Sequence, residues 1–599
     1  MSALRFDLIR RHLRPHRRTV LLGAAALLVV NLLGVALPLL VRRTIDDLQD
    51  GFALPEVLRQ AGVIVVLASV MATVRLVSRM LVFGVGRQVE ARLKERIFAH
   101  VLLQEPGWVQ STGSGEVISR ATSDVENVRR LLGFAVLSLT NTVLAYAFTL
   151  PAMLLIDPLL SLAAVALYPL MLVTVRMFGG RMMRQQRRQQ ESLANLSALV
   201  QEDLSGIAAI KIYGQETHEQ EAFASRNRLY RDAALGLART RSTLFPLLEG
   251  ISSLSLLLLL ALGSGVLESG RLSIGGLVAL ILYVERLVFP TALLGFTLNA
   301  FQTGQVSLER VEELLARQPV IRSPATPATP PPARGALEAR GLSIRYPGSS
   351  RAVLSDLDLH LEPGELVAVV GPVGCGKTTL ARALGRLVPV DPGQLFIDGV
   401  DVTALELGEL RRRVALVPQE GFLFTASLAD NLRYGDPAAP LERVWQASRQ
   451  ARLEDDVRGF PDGLETLVGE RGITLSGGQR QRTALGRALL LEAPLLVLDD
   501  ALASVDNRTA AEILASVRQQ RQRTVLMISH QLSAAAACDR ILVLEKGRLV
   551  QSGHHSTLVE QPGPYRRLWE REQAGESLRA AAADVENHRG QPPEPAGLA

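Results

Sequence analysis

Six apolar stretches fill the first half of this chain, and a helix of about 20 such residues crosses the hydrocarbon core of a bilayer. They run over 19–41, 57–82, 132–156, 159–178, 244–267 and 273–300. The second is the least clean, with Arg75 and Arg79 near its end. Before the first stretch stand Arg5, Arg10, Arg11, Arg14, Arg17 and Arg18. That stretch is too long, and too closely followed by others, to read as a cleaved signal peptide. By the positive-inside rule the N-terminus belongs in the cytoplasm.

The intervening segments alternate accordingly. Residues 86–131 and 179–243 are long and arginine-rich, whereas 157–158 and 268–272 are short turns, so both termini are expected inside. The two long loops read as cytosolic extensions of the flanking helices, broken near 106–114 and 202–214. The net charge of +6 follows this pattern and gives no reason to invoke nucleic acid. With two cysteines in 599 residues, Cys375 and Cys538, a disulfide framework is excluded and a reducing face expected.

From 319 to 332 the chain reads P-V-I-R-S-P-A-T-P-A-T-P-P-P, which cannot hold a helix and predicts an extended, semi-rigid spacer. The expected organisation is a membrane domain over 1–318, a linker over 319–336, a soluble domain over 337–573 and a disordered tail over 574–599. In the soluble part, apolar strands at 366–370, 495–498 and 524–528 alternate with helical patterns, predicting an α/β domain.

The strand at 366–370 leads into G-P-V-G-C-G-K-T, residues 371–378. In a strand-loop-helix context Gly371, Gly374 and Gly376 free backbone amides to wrap phosphates, Lys377 reaches the β and γ phosphates and Thr378 can ligate magnesium; Cys375 is a small loop residue and Thr379 follows at the helix start. A second apolar strand ends at Asp499, placed to hold a metal shell, and is followed by Asp500. Between them L-S-G-G-Q, residues 475–479, opens a helix rich in arginine. Ser476, Gly477, Gly478 and Gln479 there present a positive helix end to a second phosphate group. Such a run alone is also compatible with a helix cap after a turn.

Taken in order, these elements resemble ATP-binding cassette proteins, over nearly the whole chain. The resemblance implies that Tyr346 stacks on adenine, Gln419 is the Q-loop glutamine and a magnesium ligand, Asp506 is the D-loop aspartate and His530 the switch histidine. T-L-V-G-E-R-G at 466–472, G-E-V-I-S-R at 115–120 and G-I-A-A-I-K-I-Y at 206–213 resemble exporter segments of the type IV class. It further implies a six-span half-transporter that hydrolyses ATP with Mg2+, sits in a bacterial cytoplasmic (inner) membrane and must dimerise.

One departure from the family pattern is informative, because Asp500 stands where a glutamate general base is expected. Aspartate retracts the carboxylate by about 1.5 Å, and a base must lie within about 3 Å of the water it activates. In the family each ATP lies between the Walker motifs of one chain and the signature of the other. A non-identical partner carrying the glutamate would therefore make one fast and one slow site, in an exporter of hydrophobic drugs, lipids or peptides. A homodimeric lipid flippase remains the alternative. Glu249 and Glu285 fall within the fifth and sixth spans, where charges mark cavities or pair with neighbours.

Overall fold

The computed structural model of the protein describes residues 6–50, 54–346, 348–469, 472, 475–519 and 523–574. The expected tail from 575 onward lies outside these residues, as do Glu470, Arg471, Ile473 and Thr474 around the exporter-like loop. The chain divides into two compact units, residues 1–102 with 112–317, and residues 103–111 with 318–599.

Six helices in the first unit are long and apolar enough to cross a membrane: Asp7–Leu48, Leu54–Leu102, Ser114–Ile156, Pro158–Ser205, Glu216–Glu268 and Ile274–Ala316. Each contains or overlaps one apolar stretch read from the sequence, and most continue well beyond it. The breaks also fall where the loops predicted them. The short helix Pro106–Thr112 interrupts the first loop and Ile207–Tyr213, closed by Gly214 at φ 61°, the second. Side-chain caps start the returning helices: Asp157 accepts from the Leu160 amide at 2.9 Å and Ser273 from the Gly276 amide at 3.0 Å. Pro38, Pro151, Pro246 and Pro290 all sit within helices, which membrane helices tolerate because neighbours re-satisfy the freed carbonyls.

A core of Met153, Leu160, Tyr168, Leu259, Leu280 and Tyr283 knits the third to sixth of these helices together. Two phenols are buried there because each has a carbonyl to meet, Tyr168 that of Val284 at 2.8 Å and Tyr283 that of Val35 at 2.7 Å. Elsewhere in this unit large apolar side chains face outward, Leu155 at 88% exposure being the extreme. Apolar faces of this kind suit the hydrocarbon of a bilayer.

In the second unit the strands run β1 (Leu337–Ile344), β2 (Leu354–Leu361), β3 (Leu366–Val370), β4 (Leu395–Ile397), β5 (Val400–Asp401), β6 (Val414–Val417), β7 (Leu495–Asp499), β8 (Thr524–Ile528), β9 (Arg540–Glu545) and β10 (Arg548–Gly553). They form an antiparallel sheet β2-β1-β4-β5 and a sheet β10-β9-β3-β8-β7-β6 that is parallel from β9 to β6. Every residue of β3, β7 and β8 is buried, as parallel strands covered on both faces require. A smaller core around Leu423, Leu432, Val444, Leu453 and Leu464 packs the short helices Leu428–Arg433, Leu441–Gln450 and Glu454–Gly459.

The proline-rich segment carries no helix or strand, as its composition requires, yet it is fastened to the α/β domain rather than free as a spacer. The Ala328 amide donates to the Ala404 carbonyl at 2.9 Å, Ser323 Oγ accepts from the Leu407 amide at 3.1 Å and Arg413 donates to the Pro331 carbonyl at 2.7 Å. Residues 103–111 join the same unit because the buried Glu105 carboxylate accepts the backbone amides of both Val320 and Ile321.

Candidate functional site

Four neighbouring parallel strands, β3, β8, β7 and β6, end on one side of the sheet. The loops leaving those ends carry residues 371–378, Ser529 and His530, Asp500, and Gln419 respectively. Carboxyl ends of parallel strands are where α/β domains bind ligands, and the chain has placed most of its candidate residues there.

The first loop is shaped by glycine. Gly371 at φ 153° could not carry a Cβ, which would overlap the Leu544 carbonyl oxygen; Gly376 at φ 106° would press one into Leu354. With those side chains absent the loop curls over the start of helix Lys377–Leu384, whose amides point into the concavity. Lys377 is 6% exposed and bends back over its own loop, its ammonium donating to the carbonyls of Gly371 at 2.7 Å and Pro372 at 3.1 Å. A phosphate in the loop would draw the same cation away from those oxygens. Cys375 is buried below, its thiol held above the usual range by burial, which fits filling rather than chemistry. Tyr346, half-buried after β1, meets the Thr379 hydroxyl at 3.3 Å and packs against the core, leaving its ring partly open.

Asp499 ends β7, buried, and accepts a hydrogen bond from Thr378 Oγ1 at 3.1 Å. Burial, and then the Asp500 carboxylate beside it, push Asp499 above the usual carboxylate range, against the opposing bond from Thr378. Asp500 adopts a left-handed backbone, φ 52°, and is 9% exposed. Its amide donates to Ile528 O at 2.9 Å, and its Oδ1 accepts from the His530 amide at a long 3.4 Å. The His530 side chain is exposed. Among the described residues no group of three or more His, Cys, Asp or Glu could hold a metal by itself. A hydroxyl, a carboxylate and an amide oxygen suit Mg2+ only with phosphate oxygens and water completing the shell.

The signature is built as a cap. Ser476 Oγ accepts the Gln479 amide at 3.2 Å while Gln479 Oε1 accepts the Ser476 amide at 2.9 Å, a reciprocal box opening helix Gly477–Leu490. Gln479 Nε2 is further tied to Asp456 at 2.8 Å, so this side chain is committed to structure. Ser476 itself stays exposed at the helix end. Asp506 caps the next helix, its Oδ1 accepting the Thr509 amide at 2.9 Å, which holds its carboxyl below the usual range.

A residue the motifs did not single out joins these parts. Gln481, nearly buried, donates to the Gln419 carbonyl at 3.4 Å and accepts the Ser504 amide at 2.9 Å. Gly478 packs so closely on Ser504 that a Cβ would come within 2.9 Å of its carbonyl oxygen. The signature helix, the Gln419 loop and the turn after Asp500 are thus one connected assembly. The Gln419 side chain is exposed and only its backbone takes part.

Residues 20–291 match the family model described as ABC transporter transmembrane region, and residues 354–503 the one described as ABC transporter. The multidrug resistance-like ATP-binding protein MdlA of Escherichia coli is 31% identical over 95% of this chain and 96% of its own. The chain belongs to the ABC exporters. An ATP-dependent lipid A-core flippase of Pseudomonas fluorescens is 35% identical over 80% of this exporter and 79% of its own chain. The structure of a bacterial Atm1-family ABC exporter with ATP bound superposes with a TM-score of 0.74 at 27% identity, covering 94% of this exporter and 98% of that chain. The exporter is accordingly a multi-pass membrane ATPase that couples ATP hydrolysis to transport.

Proposed function

We propose that this exporter chain is the slow-site half of a heterodimer in the bacterial cytoplasmic membrane, with both termini on the cytoplasmic side. Its partner is a homologous, non-identical half-transporter, and its cargo hydrophobic or amphipathic small molecules, lipids or peptides. The observation that carries the reading is Asp500. Held by the β8 carbonyl behind it and a long bond from His530, its carboxylate lacks the methylene that would bring it to an attacking water. A displacement of about 1 Å at a reacting atom costs on the order of a hundredfold. The arginine-rich, lysine-poor chain also resembles TmrB, a subunit of the heterodimeric exporter TmrAB.

In this scheme Lys377 leaves the Gly371 and Pro372 carbonyls for the β and γ phosphates, the loop amides surround them and Tyr346 stacks on the adenine. Thr378, Asp499 and Gln419 would hold Mg2+, which would supply neutralisation of phosphate charge. Asp500 orients a water poorly, and His530 from the neighbouring strand end contacts the γ-phosphate. Ser476 and the amides of Gly477 and Gly478 act elsewhere, against the γ-phosphate on the partner's site, where a glutamate base permits turnover.

The second reading, a homodimeric lipid flippase, draws support from the retained His530 and from the likeness to the lipid A-core flippase. Quantitative mass spectrometry of the gently solubilised complex separates the two. A second, non-identical half-transporter in equal amount is expected; a complex of this chain alone that transports vigorously would sink the heterodimer.

A further inference from the structure

A cavity of about 690 Å³ lies within the membrane unit, bordered by residues of the first, second, third and sixth long helices. Its wall carries three cations, Arg75, Arg79 and Arg286, against a single acid, Glu285. Among the described residues none of these four forms a salt bridge: Arg75 reaches the Met71 sulfur at 3.7 Å, and Arg286 turns to the Asn31 carbonyl at 3.3 Å and Oδ1 at 3.2 Å. Ionised side chains inside a bilayer are costly and are found paired or lining a polar path. Here the pairing is missing and two positive charges are left over.

The site is built rather than incidental. A Cβ at Gly34 would overlap the Arg286 guanidinium, so glycine there leaves room for that group against the first helix. Asn31, which orients it, is fixed in turn by the Leu27 carbonyl at 2.9 Å and Asn141 Oδ1 at 3.3 Å. Arg286 Nε is buried without a hydrogen-bond partner. Phe83, Phe134 and Phe289 line the same space and supply an apolar wall beside the charges.

We infer that this cavity takes the anionic head group of an amphiphile, a phosphate or a carboxylate, with its apolar part against the three phenylalanines. Guanidinium forks match both anions in geometry and charge. A lipophilic cation would meet the surplus of like charge. The inference rests on the exporter reading and narrows its cargo.

The complex as purified from membranes is reconstituted in phosphatidylcholine liposomes. Its ATPase stimulation and uptake are then compared for lysophosphatidate, a fatty-acid anion, lysophosphatidylcholine and tetraphenylphosphonium. At least one anion should stimulate while the zwitterion and the cation do not, and the two anion arms tell phosphate from carboxylate. Arg286→Gln should raise the half-stimulating concentration about tenfold or more, the loss expected of a charge-assisted hydrogen bond. Arg286→Lys should recover part of it. Should Arg286→Gln fail to assemble, Arg79→Gln, at an exposed position, asks the same question. Stimulation by the cation alone overturns the inference and leaves the exporter standing. So does anion stimulation untouched by the arginine variants, or loss of the second chain from them, which would assign the arginines to pairing. If neither anion stimulates or is taken up, the inference falls and the exporter assignment stands.

Discussion

Lengthening Asp500 by one methylene is the most direct trial of the asymmetric scheme. Asp500→Glu adds about 1.5 Å of reach, more than the 1 Å misplacement that costs on the order of a hundredfold, or about 2.7 kcal/mol of barrier. The position sets two penalties on the variant. At 9% exposure the extra methylene must find room, an overpacking cost of about 1–3 kcal/mol in stability. At φ 52° glutamate also tolerates the left-handed backbone less well than aspartate. Neither penalty falls on the chemical step. Single-turnover hydrolysis at this chain's own site, resolved by photo-crosslinking of labelled nucleotide, should therefore rise between tenfold and about a hundredfold. Steady-state turnover of the complex should rise no more than about twofold, since the partner's site already cycles. A single-turnover rate unchanged within about threefold in a variant that folds and binds ATP would refute the argument from reach.

Three further outcomes are expected. Ser476→Ala should lower steady-state hydrolysis of the two-chain complex by about tenfold while Asp500→Asn leaves most of it, because the first touches the partner's ATP; the reverse pattern makes Asp500 a working base. Asp499→Asn should raise the melting temperature of the nucleotide-free protein at pH 7. The folded-state pKa is raised, so the ionised form there opposes folding, and the gain should shrink as pH falls through that raised pKa, as thermal denaturation against pH would record. Arg413 lies 6% exposed between Asp398 at 3.0 Å, Glu409 at 2.9 Å and the Pro331 carbonyl. Arg413→Met should cost about 3–5 kcal/mol in chemical denaturation by taking the buried cation from Asp398 Oδ2, whose Oδ1 keeps the amides of Arg334 and Ala336, and Arg413→Lys should recover part of it.

The spans and phosphate loop were legible because their signals are local. Twenty apolar residues or G-P-V-G-C-G-K-T state their structure over one window of sequence. The fastening of the proline-rich segment was not, since it depends on Glu105 meeting amides at 320 and 321, more than two hundred residues away. A lone glutamate before a proline gives no hint of such partners. Gln481 escaped for a related reason. Two residues past the signature it reads as ordinary helix, and its two hydrogen bonds reach 62 and 23 residues along the chain. Glu285, a candidate to pair with Arg286 beside it, does not, because Arg286 is drawn to Asn31 across the helix interface.

The left-handed turn at Asp500 also bears on how such a chain arises. Glutamate and aspartate codons differ by one base, and at φ 52° the shorter side chain suits the backbone better. On the asymmetric scheme, where both sites must fire the need for reach would hold a glutamate against that local preference. With a second chain whose site suffices, that restraint would lift and the turn's own energetics would favour the shorter acid. A return to glutamate would then run against the backbone, which would help to keep the two sites unlike.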